Sequence, residues 1–514
     1  MELCYRKLIT KTLKVSKLLL QKPWRTAIGK VCIRYVSNSR EILVYPSFFE
    51  LSAQYYNCSS VPLSWNIARL KGADGGAGIG FLVDTIDAAY VASMTSSLYS
   101  MQYALSNSKT IIDNEINKES ILTDLDYEIP SSLQSYFDSI SYLSNMEVSL
   151  TQVNDNPIIS LQTLRSLNKS SHKGLQRILS AKLKSLRREQ VLQYLTDFDT
   201  AWLASFISNS SYESYAWCEA KPVCTSHKMI GEYFSQSMRR RCLMHEHNIP
   251  TNSMCKCKRT IDPLGFHLQT CSQASAKERV NTHDAITYTW GRLCRAGDYS
   301  TTIENRCFRH LLSNGTINED NKRMDIVTKA NFDTKDNSFS SSLLDISIAN
   351  AVTRGLTQAN ASRHGRVADL AAHAKHEHYD DAVADYNNSH PTDKFKFYPI
   401  ILEVQGSMCD EAKRILRHIT NKIASKSSTK NVPMIHTFWL RTVAVTLQTN
   451  VARQIIEASK RLHPKSSDDD THNNSLAFYH HASDSNSPIS KQKRKEISTS
   501  FPPSLISLTS TGDT

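Results

Sequence analysis

The chain of 514 residues lacks any long uninterrupted hydrophobic run. Its most apolar amino-terminal stretch, residues 15–20, contains a lysine and is too short for a secretory signal core or a membrane span. We therefore expect an intracellular protein without a membrane partner. The twelve cysteines do not form the dense, even framework of a small secreted domain, so they are predicted to be thiols or metal ligands rather than disulfides.

Two signatures of nucleotide chemistry are also absent. The Tyr/Phe-x-Asp-Asp sequence of polymerases does not occur, which argues against polymerase activity in this chain. Glycines crowd residues 72–80, but their spacing matches neither a P-loop nor a GxGxxG dinucleotide fingerprint. A glycine turn that leads into a helix is the preferred interpretation of this segment.

Length and charge indicate the general class of protein. At 514 residues the chain is too long for one ordinary core, which predicts two or three domains. Apolar residues make up 40% and charged residues 21%, as in a globular protein. The formal net charge of +12 predicts attraction to polyanions, of which nucleic acid is the commonest.

A cysteine–histidine cluster lies near the middle of the chain. Its members are Cys255, Cys257, His267 and Cys271. Two ligand pairs separated by a short loop suit the tetrahedral thiolate and imidazole coordination of a structural zinc ion. A unit this small has no core of its own, so metal binding would supply its folding energy. The alternative interpretation is a buried thiol pair with an incidental histidine.

Basic residues surround this cluster and are predicted to contact a phosphate backbone. They are Arg239, Arg240 and Arg241 on its amino-terminal side, and Lys256, Lys258 and Arg259 within it.

An acidic region follows the cluster. After a predicted helix over residues 275–296, residues 303–312 are expected to form another helix that carries Glu304 near its start. Residues 323–328 and 344–348 alternate apolar and polar positions as strands do, with Asp325 and Asp345 opposite the aliphatic side chains. Neighbouring strands would present the two aspartates together, and paired carboxylates of this kind suit Mg²⁺.

A basic side chain is expected to complete this site. Residues 367–379 are predicted to be helical, with Lys375 and Tyr379 four residues apart on one face. If the metal site acts on a phosphate ester, Lys375 would orient or activate the water that attacks the phosphorus and would offset the negative charge of the phosphate. A further strand is expected over residues 397–406. Taken singly, each acid is more often an exposed or capping carboxylate than a metal ligand.

The ordered series resembles the carboxy-terminal part of non-LTR retrotransposon polyproteins of the restriction-like endonuclease class. In that family a cysteine–histidine knuckle follows the reverse transcriptase and precedes a PD-(D/E)XK nuclease. The knuckle residues match, Arg323, Met324 and Asp325 stand where the family has Arg-Pro-Asp, and Asp345 takes the place of its second acid. The later elements correspond to Lys375 and Tyr379 and to Glu403, Gln405 and Gly406. Ser347 stands where the family's lysine is expected, so that role would move to Lys375 or be lost.

The resemblance implies a multidomain α+β or α/β fold. Residues 1–220 would be a mostly helical region after the polymerase, residues 221–275 a basic segment with the CCHC zinc knuckle, and residues 276–460 a restriction-endonuclease-like mixed sheet flanked by helices. Residues 461–514 have the composition of a disordered polar tail, with a short basic cluster at residues 491–495 that is compatible with a nuclear address. With no polymerase signature, the chain is expected to be an amino-terminally truncated or domesticated element.

The implied function is Mg²⁺-dependent hydrolysis that nicks target DNA. Asp325 and Asp345 would bind the metal, Glu304 would assist, and Lys375 and Tyr379 would act on the water or the phosphate. Zinc would be structural, and DNA and the element RNA would be the partners. The alternative is a zinc-dependent nucleic-acid-binding remnant whose nuclease is catalytically dead.

Overall fold

The structure is a computed structural model. It describes residues 63–79, 86–104, 131–146, 174–246, 253–305, 324–329, 338–352, 361–428 and 430–462, with a few isolated positions between them. Residues 461 and 462 of the predicted disordered tail are helical, and the rest of the tail, with its basic cluster, lies outside the described residues.

The amino-terminal part of the described chain is helical, as predicted. Its helices are α1 (Leu63–Arg69), α2 (Ile86–Ala104), α3 (Ser131–Asn145), α4 (Leu175–Phe198), α5 (Thr200–Ser208), α6 (Tyr212–Tyr215) and α7 (Gly231–Arg241). Apolar residues of α2, α3 and α4, such as Val91, Tyr136 and Leu179, form one buried cluster. The glycine-rich segment forms a short 3₁₀ turn (Gly72–Asp74) after which Gly75 adopts a φ of 95°, so the prediction of a glycine turn is confirmed.

The second half of the chain contains a four-stranded mixed sheet. It begins after α8 (Phe266–Thr270) and α9 (Ser272–Ala296), and its strands are β1 (Thr301–Asn305), β2 (Met324–Thr328), β3 (Ser341–Ala349) and β4 (Phe395–Glu403). The strand order is β1-β2-β3-β4, with antiparallel pairing from β1 to β3 and parallel pairing of β3 with β4. Parallel neighbours require a crossover connection, which here contains α10 (Arg366–Ser389).

Both faces of the sheet are covered. On one face, Ile326, Leu344 and Ile400 belong to the largest buried cluster, which also contains residues of α9 and of two later helices, α11 (Asp410–Lys426) and α12 (Val432–Leu462). On the other face, Leu343 and Phe397 pack with Tyr379, Val383 and neighbouring residues around α10. Period-two alternation on two buried faces explains why most residues of β2, β3 and β4 are buried.

The described architecture is therefore mixed α and β, as expected from the sequence. The helix predicted over residues 275–296 and the strands around Asp325, Asp345 and Glu403 are all present. The predicted helix over residues 303–312 is wrong in its first part, because residues 303–305 belong to β1. The β-branched run Thr301, Thr302 and Ile303 favours a strand that pairs with β2.

The largest buried cluster joins distant parts of the chain. It contains Ala68, Trp217, Leu268 and Trp290 together with residues of α12. The boundaries expected after residues 220 and 275 remain predictions. None of the described helices combines the length and the apolar composition that crossing a bilayer requires.

Candidate metal centre and acidic site

The four residues of the predicted zinc knuckle lie together. The Sγ atoms of Cys255 and Cys271 are 3.6 Å apart, and Sγ of Cys257 is 3.3 Å from Nε2 of His267. One potential ligand atom from each residue lies within 4.8 Å of all the others. Zinc bonds of about 2.3 Å to sulfur and about 2.0 Å to nitrogen would place tetrahedral ligands about 3.5 to 3.8 Å apart, close to these separations. The cluster can therefore hold a metal ion such as zinc.

Local backbone chemistry explains how the ligands meet. Lys258 adopts a φ of 63°, which reverses the chain so that its amide donates to the carbonyl of Cys255 at 2.8 Å. The carboxylate of Asp262 accepts hydrogen bonds from the amides of Leu264, Phe266 and His267 at 2.7 to 3.1 Å. This cap orders the start of α8, the helix that carries His267 and ends just before Cys271.

The knuckle shares the core of the surrounding protein. Cys255 and Leu268 belong to the largest buried cluster, whereas Leu264 and Phe266 pack with residues of α1, α4 and α5. The side-chain amide of Gln454 in α12 donates to the carbonyls of Leu268 and Gln269. The knuckle thus packs within the core of the surrounding protein rather than around a core of its own, and metal binding would add to that packing.

The pKa shifts of two ligands indicate which of them must lose a proton when a metal binds. Burial, together with hydrogen bonds to Cys257 and Cys271, raises the pKa of the Cys255 thiol to about 11. Burial lowers the pKa of His267, which keeps its imidazole neutral and able to bind metal. At neutral pH a bound cation would be needed to hold Cys255 as the thiolate.

We expect the full-length protein to carry one zinc ion per chain, measured by atomic emission after purification without chelators. Substitution of residues that only hydrogen-bond to metal ligands typically lowers metal affinity roughly ten- to hundredfold. Replacement of a ligand itself, Cys257 or His267, by alanine should lower the zinc affinity by more than this. Cys224→Ala, which removes a partly buried free thiol outside the cluster, is the matched control and should leave the zinc content unchanged. A wild-type protein free of zinc would contradict the assignment.

The two sets of predicted phosphate-binding residues differ in accessibility. Lys256, Lys258 and Arg259 are exposed on the knuckle, so they remain candidates for contact with a phosphate backbone.

The prediction for Arg239, Arg240 and Arg241 is wrong. These side chains are only 8%, 7% and 1% exposed, so they cannot reach a nucleic acid. Arg241 instead donates to the carbonyls of Gly72, Gly76, Asn209 and Ser214, and Arg240 donates to the carbonyl of Val404. The basic run therefore has a structural role, because it ties the glycine turn and the loop after α5 to α7.

The predicted pairing of Asp345 with a helical lysine is present. Nζ of Lys375 lies 2.7 Å from Oδ2 of Asp345, which forms an ion pair between α10 and β3. Asp345 is only 6% exposed, and this burial raises the pKa of its carboxyl group even though Lys375 opposes the shift. Burial alone would lower the pKa of Lys375, but the charge of Asp345 and the hydrogen bond to it raise that pKa overall.

Strand register brings Asp325 next to Asp345. Ile326 pairs with Leu344 and Val327 with Leu343, so Asp325 and Asp345 occupy the next opposing positions. Oδ2 of Asp325 accepts a hydrogen bond from the amide of Ile346 at 2.7 Å. The two carboxylates are close enough for the charge of Asp325 to raise the pKa of Asp345.

Glu304 occupies a strand position rather than the helical position that was predicted. The pairing of Ile303 with Ile326 and of Asn305 with Met324 places residue 304 opposite Asp325 in the register. The backbone thus aligns three acidic positions across β1, β2 and β3. The side chain of Glu304 lies outside the described residues.

His283, which the sequence analysis missed, joins this site from α9. Its Nε2 atom is 3.2 Å from Oδ2 of Asp325 and 3.1 Å from the carbonyl oxygen of Ile346, and its Nδ1 atom is 3.1 Å from Asp284. The hydrogen bond to Asp325 is the largest cause that raises the pKa of His283 to about 9, against the opposing effect of burial. A lone histidine in a polar helix carries no sequence signal for this contact.

The raised pKa of His283 predicts a pH-dependent contribution to stability. The folded protein favours the imidazolium, so the contribution is complete below the unfolded pKa of about 6.5 and is lost as pH rises through about 9. Because the side chain is 34% exposed, we expect only about 1 kcal/mol after screening by solvent.

The measurement compares the free energy of unfolding of the wild type and His283→Gln between pH 6 and 10, without added divalent cations. The difference should shrink as the pH rises. His373→Gln is the control, since that histidine is 74% exposed and should show no such trend. A difference that stays constant across this pH range would contradict the assignment.

Tyr379 packs beside the ion pair between Lys375 and Asp345. The ring of Tyr379 is 9% exposed and packs against Phe397 at 4.9 Å between centroids. Nζ of Lys375 lies 5.6 Å from the centre of the same ring, within range of a cation–π contact. The predicted spacing of four residues on one helical face is confirmed, and it explains why both residues meet β3 and β4.

Glu403 has a role in placing α10. Its Oε1 atom accepts from the amides of Val367 and Ala368 at 3.1 and 3.4 Å, and its Oε2 atom accepts from the hydroxyl of Ser208. Burial raises the pKa of Glu403, while these hydrogen bonds favour the carboxylate. Glu403 thus anchors the first turn of the helix that carries Lys375, and Gln405 holds Ser205 and Ser208 nearby.

The acidic site differs from the knuckle as a metal centre. Within the described part of the chain, a group of three or more metal-ligating side chains with converging ligand atoms occurs only at the cysteine–histidine cluster. Asp325 and Asp345 provide hard oxygen ligands, but each already has a cationic partner. A divalent ion at this site would therefore share the carboxylates with His283 and Lys375.

Comparison with known proteins adds no further identification. No protein-family profile matches the chain. No curated protein matches it either.

Proposed function

We propose that this protein is a metal-dependent DNA endonuclease that hydrolyses a phosphodiester bond at the site formed by Asp325, Asp345 and Lys375. The observation that carries the proposal is the 2.7 Å ion pair between Lys375 and Asp345, beside a second carboxylate at the opposing strand position. A mixed sheet with helices on both faces agrees with the fold that the family resemblance implies. The knuckle adds a site suited to structural zinc and an exposed basic edge.

The carboxylates have the chemistry to hold Mg²⁺. The polar contacts described for Asp325 converge on Oδ2, and Lys375 also approaches Oδ2 of Asp345. The Oδ1 atoms of the two aspartates would then be the ligands for a hard cation such as Mg²⁺. The chemistry that Mg²⁺ supplies when bound is Lewis-acid polarisation of a phosphoryl oxygen and activation of water.

The remaining residues would orient the reaction. Lys375 carries a positive charge on a half-buried side chain and can donate to a non-bridging phosphate oxygen or to the attacking water. The ring of Tyr379 limits where the ammonium group can move. His283 and the amide of Ile346 hold Oδ2 of Asp325, which sets the direction of its other oxygen.

The biological role that we propose is nicking of target DNA by a protein derived from a retrotransposon, which implies action in the nucleus. The net charge of +12 supports binding to nucleic acid, including the element RNA, in addition to the target. The residue resemblance described above supports the choice of DNA as the substrate of the nuclease.

The second candidate is a zinc-dependent nucleic-acid-binding protein without hydrolytic activity. A specific observation favours it: Asp325 and Asp345 are each paired with a cation, which balances the negative charge that would attract Mg²⁺. Ser347, where the family has lysine, points in the same direction.

Conversion of supercoiled plasmid to the open circular form by the full-length protein separates the two candidates. Nicking that requires Mg²⁺ supports the endonuclease. Salt-dependent binding of the plasmid without nicking, in Mg²⁺ or Mn²⁺, supports the binding protein.

A further inference from the structure

Helix α11 carries a concentration of positive charge that neither the knuckle nor the acidic site accounts for. The helix contains five lysine or arginine residues: Lys413, Arg414, Arg417, Lys422 and Lys426. Its two acidic residues, Asp410 and Glu411, lie in the first turn and form ion pairs with Lys413 and Arg414, so the helix carries an excess of three positive charges. The opposite face of the helix is apolar and buried, with Ile415, Ile419 and Ile423 in the largest cluster. The charge therefore lies on the one face of α11 that is open to solvent.

This face borders an open cleft of roughly 420 Å³. Its lining side chains are Asp410, Lys413, Arg414, Arg417, His418 and Asn421. Five of these six residues can donate hydrogen bonds, and the single acidic one stands at the first position of the helix. A cleft of this composition suits an anionic ligand that presents several oxygen acceptors.

Two of the basic side chains lie over aromatic rings that belong to the buried structure beneath α11. Arg414 lies 5.7 Å from the ring centre of Tyr398, and Nζ of Lys422 lies 3.6 Å from the ring centre of Tyr299. The two rings are only 0% and 3% exposed, so they support the cations and are not available to stack on nucleotide bases. The arrangement therefore suits a sugar-phosphate backbone better than unstacked bases.

The first turn of α11 is joined to the helix that carries Lys375. Nε2 of His376 lies 2.9 Å from a carboxylate oxygen of Glu411, and the amide of Asp410 donates to Asp369 at 3.1 Å. Since His376 follows Lys375 directly in α10, the basic face keeps a fixed position relative to the Asp345–Lys375 pair.

From this geometry we propose that the exposed face of α11 binds the phosphate backbone of duplex DNA. A helix of 17 residues is about 25 Å long, and side chains three or four residues apart are spaced about 5 to 6 Å. The row can therefore engage several phosphates of one strand. The inference rests on the proposed action on DNA and identifies a surface, outside the knuckle, that would hold the duplex.

The test is binding of a fluorescent duplex of about 30 base pairs, at several salt concentrations and without added magnesium. In Arg414→Gln/Arg417→Gln, the slope of log affinity against log salt should fall in magnitude by about two. The affinity at 0.1 M salt should fall roughly tenfold to a hundredfold. Arg414→Lys/Arg417→Lys, which keeps the charge, should recover most of the slope.

Lys221→Gln/Lys228→Gln is the matched control, because it removes the same charge from exposed positions between α6 and α7. It should leave the slope unchanged. An unchanged slope in the arginine variant, or an equal loss in both variants, would overturn the proposal. The binding assay contains no magnesium, so its result does not depend on hydrolysis. If the arginine variant binds DNA like the wild type and still nicks plasmid in the separate assay with Mg²⁺, only this inference is refuted. Loss of slope in a chain that never nicks would refute only the hydrolysis.

Discussion

Asp345→Asn is expected to reduce Mg²⁺-dependent plasmid nicking by at least about a hundredfold, because it removes one of the two carboxylates that can hold the metal. The substitution keeps the shape of the side chain while abolishing the 2.7 Å ion pair with Lys375. Lys375→Gln, which removes the cationic member of the same ion pair, should reduce nicking by a similar factor. In the double variant the losses should not multiply, since the two groups act together.

Asp381→Asn is the matched control for this series. Asp381 is an exposed aspartate on α10, six residues after Lys375, and its loss changes the net charge by the same amount. The measurement is the initial rate of open-circle formation, with the thermal unfolding midpoint as a check that each variant folds. Nicking by Asp345→Asn at the wild-type rate would show that hydrolysis occurs elsewhere.

Arg241→Met is expected to destabilise the protein by about 3 to 5 kcal/mol. The guanidinium is 1% exposed and donates to the carbonyls of Gly72, Gly76, Asn209 and Ser214 at 2.5 to 3.2 Å. Methionine has a similar length but leaves these buried acceptors without a donor. The measurement is the free energy of unfolding in urea.

Arg259→Met is the control for Arg241→Met, and we expect it to affect DNA binding rather than stability. Arg259 is exposed on the knuckle, so its substitution should leave stability within about 0.5 kcal/mol and weaken DNA binding. If Arg241→Met weakened DNA binding without any loss of stability, the structural role of the buried arginine would be wrong.

Charge and exposure proved to be separate properties in this chain. Arg239, Arg240 and Arg241 looked like a nucleic-acid contact because three consecutive basic residues are usually solvated, but α7 is buried along this turn. The basic residues of α11 give it a similar excess of positive charge but lie on the exposed face of the helix. In the sequence they alternate with isoleucines, which is the ordinary pattern of an amphipathic helix and gave no sign of a binding surface. Whether a basic run meets solvent or backbone carbonyls depends on which helix packs over it.

The sequence by itself determined the features that depend on local spacing. The order of the four cysteine and histidine ligands, the strands around Asp325 and Asp345, and the four-residue step from Lys375 to Tyr379 follow from periodicity and ligand chemistry. Only the tertiary structure decided which distant groups meet. The contact between His283 and Asp325 spans 42 residues, and Glu403 reaches the start of α10 from the end of β4. Such contacts arise from sheet register and helix packing, which no local pattern encodes.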